Sequence, residues 1–263
     1  MTFTFDLISD LHVDTWSSKF NWENNVTSPH CVVVGDVAKD RALLLETLSH
    51  LGQCYHAVFY IDGNDEHKHS IETLNRSYQT LARQIKKIPN VVYLQDNVVV
   101  IDGVALLGTN GWWGFDFDPT IDHAGSVSWY QEKHQLSDQA IENIKQMHKT
   151  DAQYMINSVK RLQDHTDVKK IVVITHTVPK PKLIEHDLSL QGKLAFNSMG
   201  SSLMNWVHAA DQGNKIHTWC FGHYHGAVDQ LHQGVRYVNN CRGRGDTDYN
   251  NKTYFAKRIS VTD

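Results

Sequence analysis

Short apolar runs alternate with amphipathic stretches along most of the chain. Residues 3–9, 31–34, 56–61, 170–175 and 216–221 are apolar and β-branched or aromatic, which predicts five buried strands. Between them, residues 40–51 and 68–87 carry helical periodicity. Three further short runs, 91–94, 98–101 and 104–107, read as strands, with Asp102-Gly103 as a hairpin turn. A long helix is predicted from Ser137, its N-cap, to about residue 165, with Ile141, Ile144, Met155, Val159 and Leu162 on one face. A loop with Pro179 and Pro181 precedes a helix around 199–210. A hairpin of 228–231 and 235–239 turns near Gly234, and 253–261 is a last strand. This β-α-β-α rhythm predicts an α/β layered sandwich. Residues 110–136 break it with an aromatic, irregular stretch. The whole chain, 1–263, reads as one domain, with 110–166 as a cap or lid insertion.

The polar positions that matter sit where the apolar runs stop. The five predicted strands end in Asp10-Leu11-His12, Gly35-Asp36, Gly63-Asn64-Asp65-Glu66, His176 and Gly222-His223-Tyr224-His225. In a parallel sheet these C-terminal edges share one rim, where open α/β folds bind their ligands. A lone Asp or His at a strand end is ordinarily structural. Five such ends, in order, make coincidence a poor account. Carboxylate, amide and imidazole donors suit two divalent cations of the Mn, Fe, Zn, Co or Ni type, with Mg also admissible and Mn favoured. Asp36 can bridge two ions through its two oxygens. Two ions about 3.5–4 Å apart clamp a phosphoryl group and ionise a water for in-line attack.

The ordered set D-x-H, GD, GN-x-E, H and GH-x-H resembles the calcineurin-like metallophosphoesterase superfamily over Asp10 to His225. Leu107-Gly108-Thr109 with Trp112 is similar to that family's G-T-x-x-W segment, and Asn240-Cys241-Arg242-Gly243 to its N-P-R-G turn. The resemblance implies a four-layer αββα sandwich with two metals at its rim. One ion would take Asp10, His12, Asp36 and His225, the other Asp36, Asn64, His176 and His223. A metal-bridging hydroxide would attack phosphorus. One departure stands out: the family usually reads G-N-H-[DE], whereas Asp65 replaces the histidine here. Asp65, His67, two residues on, and Arg242 are the candidates for the catalytic work beyond the metals. The replacement favours good leaving groups, such as pyrophosphates or activated diesters.

Composition narrows the partners. With 25 basic and 29 acidic residues, the formal charge of −4 gives no general attraction to nucleic acid or anionic membrane. That disfavours a nuclease of the same superfamily, and nothing marks a phosphopeptide groove. The expected substrate is a small phosphorylated molecule, such as a nucleotide. A low-activity, partner-binding member is the alternative that Asp65 keeps open. Trp112, Trp113, Phe115, Phe117, Trp129 and Tyr130 in the irregular segment can stack a base or simply pack the cap. Arg242 and Arg244 stand where a cation can meet a phosphate, although Arg244 reads equally well as a surface residue. The 4 cysteines form no C-x-x-C pair and read as free thiols. The chain has no basic-then-apolar leader and no run of about 18 apolar residues, so a cytoplasmic protein without a membrane span is expected.

Overall fold

The computed structural model describes residues 2–18, 20–185, 187–245, 247 and 254–262. The first half comprises β1 (Thr2–Ile8), β2 (His30–Val34), α1 (Arg41–Cys54), β3 (Ala57–Ile61), α2 (Leu74–Ile85) and β4 (Val91–Tyr93). There follow β5 (Asn97–Ile101), β6 (Val104–Thr109), α3 (His123–His134), α4 (Asp138–Asp164), β7 (Lys170–Thr175), α5 (Leu190–Phe196) and α6 (Met204–Ala209). The chain ends with β8 (Ile216–Phe221), β9 (Asp229–His232), β10 (Val235–Asn239) and β11 (Lys257–Thr262).

The strands form two sheets, β11-β1-β2-β3-β4 and β5-β6-β7-β8-β10-β9. Neighbours from β1 to β4 pair in parallel, as do β6, β7, β8 and β10. The antiparallel strands β11, β5 and β9 are confined to edges. Parallel strands need cover on both faces, and alternate side chains provide it. Val32, Val34, Phe59 and Ile61 meet Leu106, Val172, Ile174 and Val238 in a buried layer between the sheets. Their neighbours Cys31, Val33, Val58 and Tyr60 face the other way, onto Leu44 and Leu48 of α1 and Leu81 and Ile85 of α2. On the far side, Leu107, Ile171, Val173 and Trp219 pack under Met155 and Val159 of α4 and Met204 and Val207 of α6. The order helix, sheet, sheet, helix is the αββα sandwich expected from the motifs.

Local signals account for most boundaries. Asp40 caps α1 by accepting from the Leu43 N–H, and Ser137 caps α4 by accepting from the Ala140 N–H. Three expectations need correction. The helix expected at 68–87 starts only at Leu74, after 3-10 turns at Asp65–His67 and Ile71–Thr73. Asp65, Glu66 and His67 are all buried, and three consecutive inward side chains cannot share one face of an α-helix. Residues 110–136 are not irregular throughout but contain α3, which buries only Ser126 and Tyr130 and so leaves little periodicity to read. The short α5, unanticipated, buries only Phe196. The predicted start of the last strand at Thr253 lies outside the described residues.

Residues 110–166 divide between two packings. Ala140, Ile141, Ile144 and Met147 of α4 join Trp112, Trp113, Phe115 and Tyr130 in a separate cluster. Ala152, Met155, Val159 and Leu162 of the same helix lie on the second sheet. Among the described residues no helix is long and apolar enough to cross a membrane, and none of the four cysteines is in a disulfide.

An ion pair joins the outer edges of the two sheets. Asp229 of β9 accepts from Nε and Nη2 of Arg236 on β10, both at 2.8 Å, and lies 2.9 Å from Nζ of Lys257 on β11. The Arg236 hydrogen bonds, opposed by partial burial and helped by Lys257, hold the Asp229 carboxyl down to about 2. A depressed carboxyl stabilises the fold above its unfolded value of about 3.9, and this is lost as pH falls toward the folded value. With 36% of the side chain exposed, solvent screening keeps the gain below about 1 kcal/mol. Asp229→Asn should therefore lower the melting temperature by about 2 °C at neutral pH. The difference should shrink between about pH 4 and pH 2, as followed by urea unfolding at each pH.

Candidate metal centre

The loops after the parallel strands are laced to one another by backbone hydrogen bonds. Asp10 N–H donates to Gly35 O and His12 N–H to Asp36 O, each at 3.0 Å, joining the loops after β1 and β2. Arg242 and Gly243 N–H donate to Ser9 O and Asp10 O at 2.9 Å, bringing in the loop after β10. Gly222 N–H reaches His176 O at 2.8 Å, and His176 N–H reaches Asn110 O at 2.9 Å. The loops after β2 and β3 approach each other closely. A Cβ on Gly35, which has φ of 77°, would lie 2.6 Å from both the Gly63 nitrogen and His176 Nδ1. Glu66, three residues after Gly63, accepts from the N–H groups of Gly63 (2.8 Å), Asp36 (3.1 Å) and Val37 (2.7 Å). It thus ties the loop after β3 to the loop after β2.

This lacing brings together the seven side chains read from the strand ends. Donor atoms of Asp10, His12 and His225 all lie within 4.8 Å of one another, as do those of Asp36, His176 and His223. His12, Asp36 and Asp65 form a third such group, so Asp36 and His12 link the first two. The Nε2 atoms of His12 and His225 stand 3.1 Å apart. His176 Nδ1 lies 2.9 Å from the Val34 carbonyl, which can only accept, so a proton on Nδ1 would leave the Nε2 lone pair for a cation. That Nε2 is 3.2 Å from Asn64 Oδ1 and 3.5 Å from Asp36 Oδ1. Asp10 is fixed by Ser9 Oγ, by Cys241 Sγ at 3.1 Å and by the His223 N–H at 3.1 Å.

The electrostatics are those of a site short of positive charge. Burial, then the carboxylates of Asp65, Glu66 and Asp10, push Asp36 well above the usual carboxylate range. Burial also raises Glu66, to about 7. Burial outweighs the nearby carboxylates at His12 and lowers it, and burial, with His176 close by, brings His223 down to about 3. Neutral imidazoles and crowded carboxylates fit divalent cations. Two carboxylates are exceptions: against the cost of burial, His225 and the other nearby imidazoles hold Asp10 well below the usual range, and Asp65 is the second. Against the cost of burial, His12, Arg244 and Lys39 hold it well below the usual range. Its Oδ2 is 2.7 Å from Arg244 Nη2, 3.4 Å from His12 Nδ1 and 3.7 Å from Lys39 Nζ.

No protein-family model and no curated protein sequence matches the chain. Solved structures do. The phosphopantetheinyl hydrolase of Mycobacterium tuberculosis is 17% identical, with a TM-score of 0.70 over 97% of this chain and 95% of its own. A dimetal phosphatase of Danio rerio is 14% identical, with a TM-score of 0.56 over 98% and 91%. The chain has the metallophosphoesterase fold. A third structure, a putative 5′-nucleotidase of Staphylococcus aureus, is 14% identical with a TM-score of 0.54, and this chain spans 51% of it.

Within this metallophosphoesterase fold two of the catalytic candidates are displaced from the cluster. His67 does not reach in, nor is it a surface residue. It is buried, with Nε2 3.0 Å from Asp62 Oδ2 and Nδ1 2.8 Å from Ser77 Oγ, so both nitrogens are engaged beneath the rim. Asp62 also accepts from Asn110 Nδ2 at 2.8 Å, which links the two sheets there. Arg242 turns its guanidinium onto Trp16, 4.1 Å from the ring centroid, with Phe20 at 5.8 Å. Arg244, two residues on, is the arginine that meets Asp65. Two residues apart across Gly243, whose φ is 79°, they go to different partners, which spacing alone does not decide.

The rim opens on a cavity of about 440 Å³ bordered by Asn64, Asp65, His223 and Arg244 and by Trp113, Trp129 and Tyr130. Trp113 stacks on His223 with centroids 5.5 Å apart and planes at 19°. A larger cavity of about 880 Å³ lies by Trp16, Phe20 and His50, and none of the clustered ligands lines it. Glu66→Ala would leave the N–H groups of Gly63, Asp36 and Val37 buried without acceptors, at about 1–3 kcal/mol each. It should lower unfolding stability by at least about 3 kcal/mol, read by urea denaturation, whereas Glu66→Gln, which keeps one carbonyl acceptor, should cost less.

Proposed function

We propose that the chain is a dinuclear-metal-dependent hydrolase of small phosphorylated molecules, acting on a phosphodiester or pyrophosphate in preference to a phosphoprotein. The observation that carries this reading is the place of Asp36, whose oxygens lie among the imidazoles of both donor groups. One ion would be held by Asp10, His12, Asp36 and His225, and the other by Asp36, Asn64, His176 and His223. Manganese suits this mixture of oxygen and nitrogen donors. A divalent pair supplies Lewis acidity to a phosphoryl group and lowers the pKa of water.

The remaining work falls to side chains of the chain itself. Arg244 borders the cavity beside Asn64, and its planar fork matches two phosphoryl oxygens. Asp65 aims it through the 2.7 Å contact. Held ionised by Arg244, His12 and Lys39, Asp65 has no proton to give a leaving group. This supports substrates whose leaving groups need none, such as pyrophosphates and activated diesters. A cavity of about 440 Å³ suits a small molecule better than a polymer. The names of two structural neighbours, a phosphopantetheinyl hydrolase and a putative 5′-nucleotidase, support the same size of substrate. Four cysteines outside any disulfide support a reducing, cytoplasmic setting.

Initial rates on bis(p-nitrophenyl) phosphate and p-nitrophenyl phosphate, with and without Mn²⁺, test this reading. Metal-dependent turnover is expected, abolished in Asp36→Asn. Arg244→Gln should lower kcat/KM by about 10²–10³-fold, with Arg244→Lys recovering only part because a point charge replaces a fork. No turnover with both ions demonstrably bound would instead favour a non-catalytic, partner-binding role.

A further inference from the structure

The cavity over the donor cluster is basic, although the chain as a whole carries a formal charge of −4. Arg244, Lys68 and Lys133 border it, and its carboxylate, Asp65, is already paired with Arg244 and Lys39. Lys68 follows the Asp65–His67 turn, and Lys133 lies in the last turn of α3. Both are exposed, so they stand at the mouth, whereas Asp65 is buried at the floor. Among the described residues neither ammonium has a carboxylate partner.

Lys68 and Lys133 border the same cavity as His134, and their charges, after burial, lower His134. Like charges on one cavity repel, and an anion between them lowers that cost. Lys133 Nζ lies 4.4 Å from the centroid of Trp129, which restrains it against the cavity wall. The rest of the lining carries no charged residue other than histidines and includes Trp113, Tyr130 and Met199. Charge at mouth and floor with an otherwise uncharged lining describes the ligand: two anionic groups separated by a neutral, stackable body.

Building on the hydrolase reading, we infer that this cavity takes a small molecule with two phosphate groups. One lies at the donor cluster beside Arg244, and the second is held at the mouth by Lys68 and Lys133. A nucleoside bisphosphate has this chemistry. Its base or sugar would lie along Trp129 and Tyr130, and its second phosphate would not react. Each charge-assisted contact to that phosphate adds about tenfold in affinity.

Titration calorimetry of the Mn²⁺-loaded protein with adenosine 3′,5′-bisphosphate and adenosine 5′-monophosphate tests the inference. The bisphosphate should bind at least about tenfold more tightly. In Lys68→Gln/Lys133→Gln the preference should fall to within about twofold, and in Lys68→Arg/Lys133→Arg it should return, which excludes loss of fold as the cause. Equal affinities in the wild type, or a preference that survives the double glutamine variant, would overturn it. Turnover of bis(p-nitrophenyl) phosphate separates the two readings. Turnover without a bisphosphate preference defeats this inference alone, and a preference without turnover defeats the hydrolase reading while the two-phosphate site stands.

Discussion

The donor cluster depends on a backbone that most side chains avoid. Asp10, His12, Asp36 and His223 have φ of 50°, 41°, 50° and 66°. In that left-handed region an L-residue with a Cβ loses about 1–2 kcal/mol relative to the right-handed conformation. Glycine would relieve the strain but would supply no donor atom. The glycines stand instead beside the donors, at Gly35, Gly63 and Gly222, where a Cβ would strike the neighbouring loop. The strained residues are held by one another. Asp10 and His12 donate their N–H groups to the loop after β2, and His223 donates its N–H to the Asp10 carboxylate. Each loop is thus the template for the next, and the rim holds as a set.

Beneath the rim a second set of buried polar groups carries that strain. Glu66 gathers three N–H groups from two loops. Asp62 accepts from Asn110, meets His67 and is bonded by Tyr93, so one carboxylate joins β3, β4 and the loop after β6. Asp151 of α4 accepts from the N–H of Gly111 at 2.7 Å and anchors the start of the segment that carries Trp113 to the cavity. In a low dielectric such networks hold firmly when every member is satisfied and are costly when one is lost.

The sequence carried the strands and the ends of strands most clearly, because a buried parallel sheet needs near-continuous apolar runs and its chemistry follows each run at once. His176 after Lys170–Thr175 is such a case, and so is His223 after Ile216–Phe221. What could not be read was orientation after the run. His67 and Asp65 are two residues apart, yet one faces inward to Asp62 and Ser77 and the other faces the cluster, because the chain turns tightly there. Arg242 and Arg244 are separated by the same interval and part company for the same reason, one onto Trp16 and one onto Asp65. Helices α3 and α5 escaped notice because each buries so few side chains that no stripe marks it.

The donors are close in space but far apart along the chain: Asp10 and His223 are 213 positions apart, and Ser9 and Tyr254, which are bonded beside them, 245. Hardly any of the centre is local, so no hairpin or helix formed early in folding contains a working part of it. Closing such long loops is slow and is rewarded only when both sheets are in place. The cluster is therefore a reporter on the entire sandwich, and an ion that binds only the assembled donors draws the unfolded population toward the native one by mass action. Metal supply would then govern not only what the protein can do but also how long each molecule survives proteolysis.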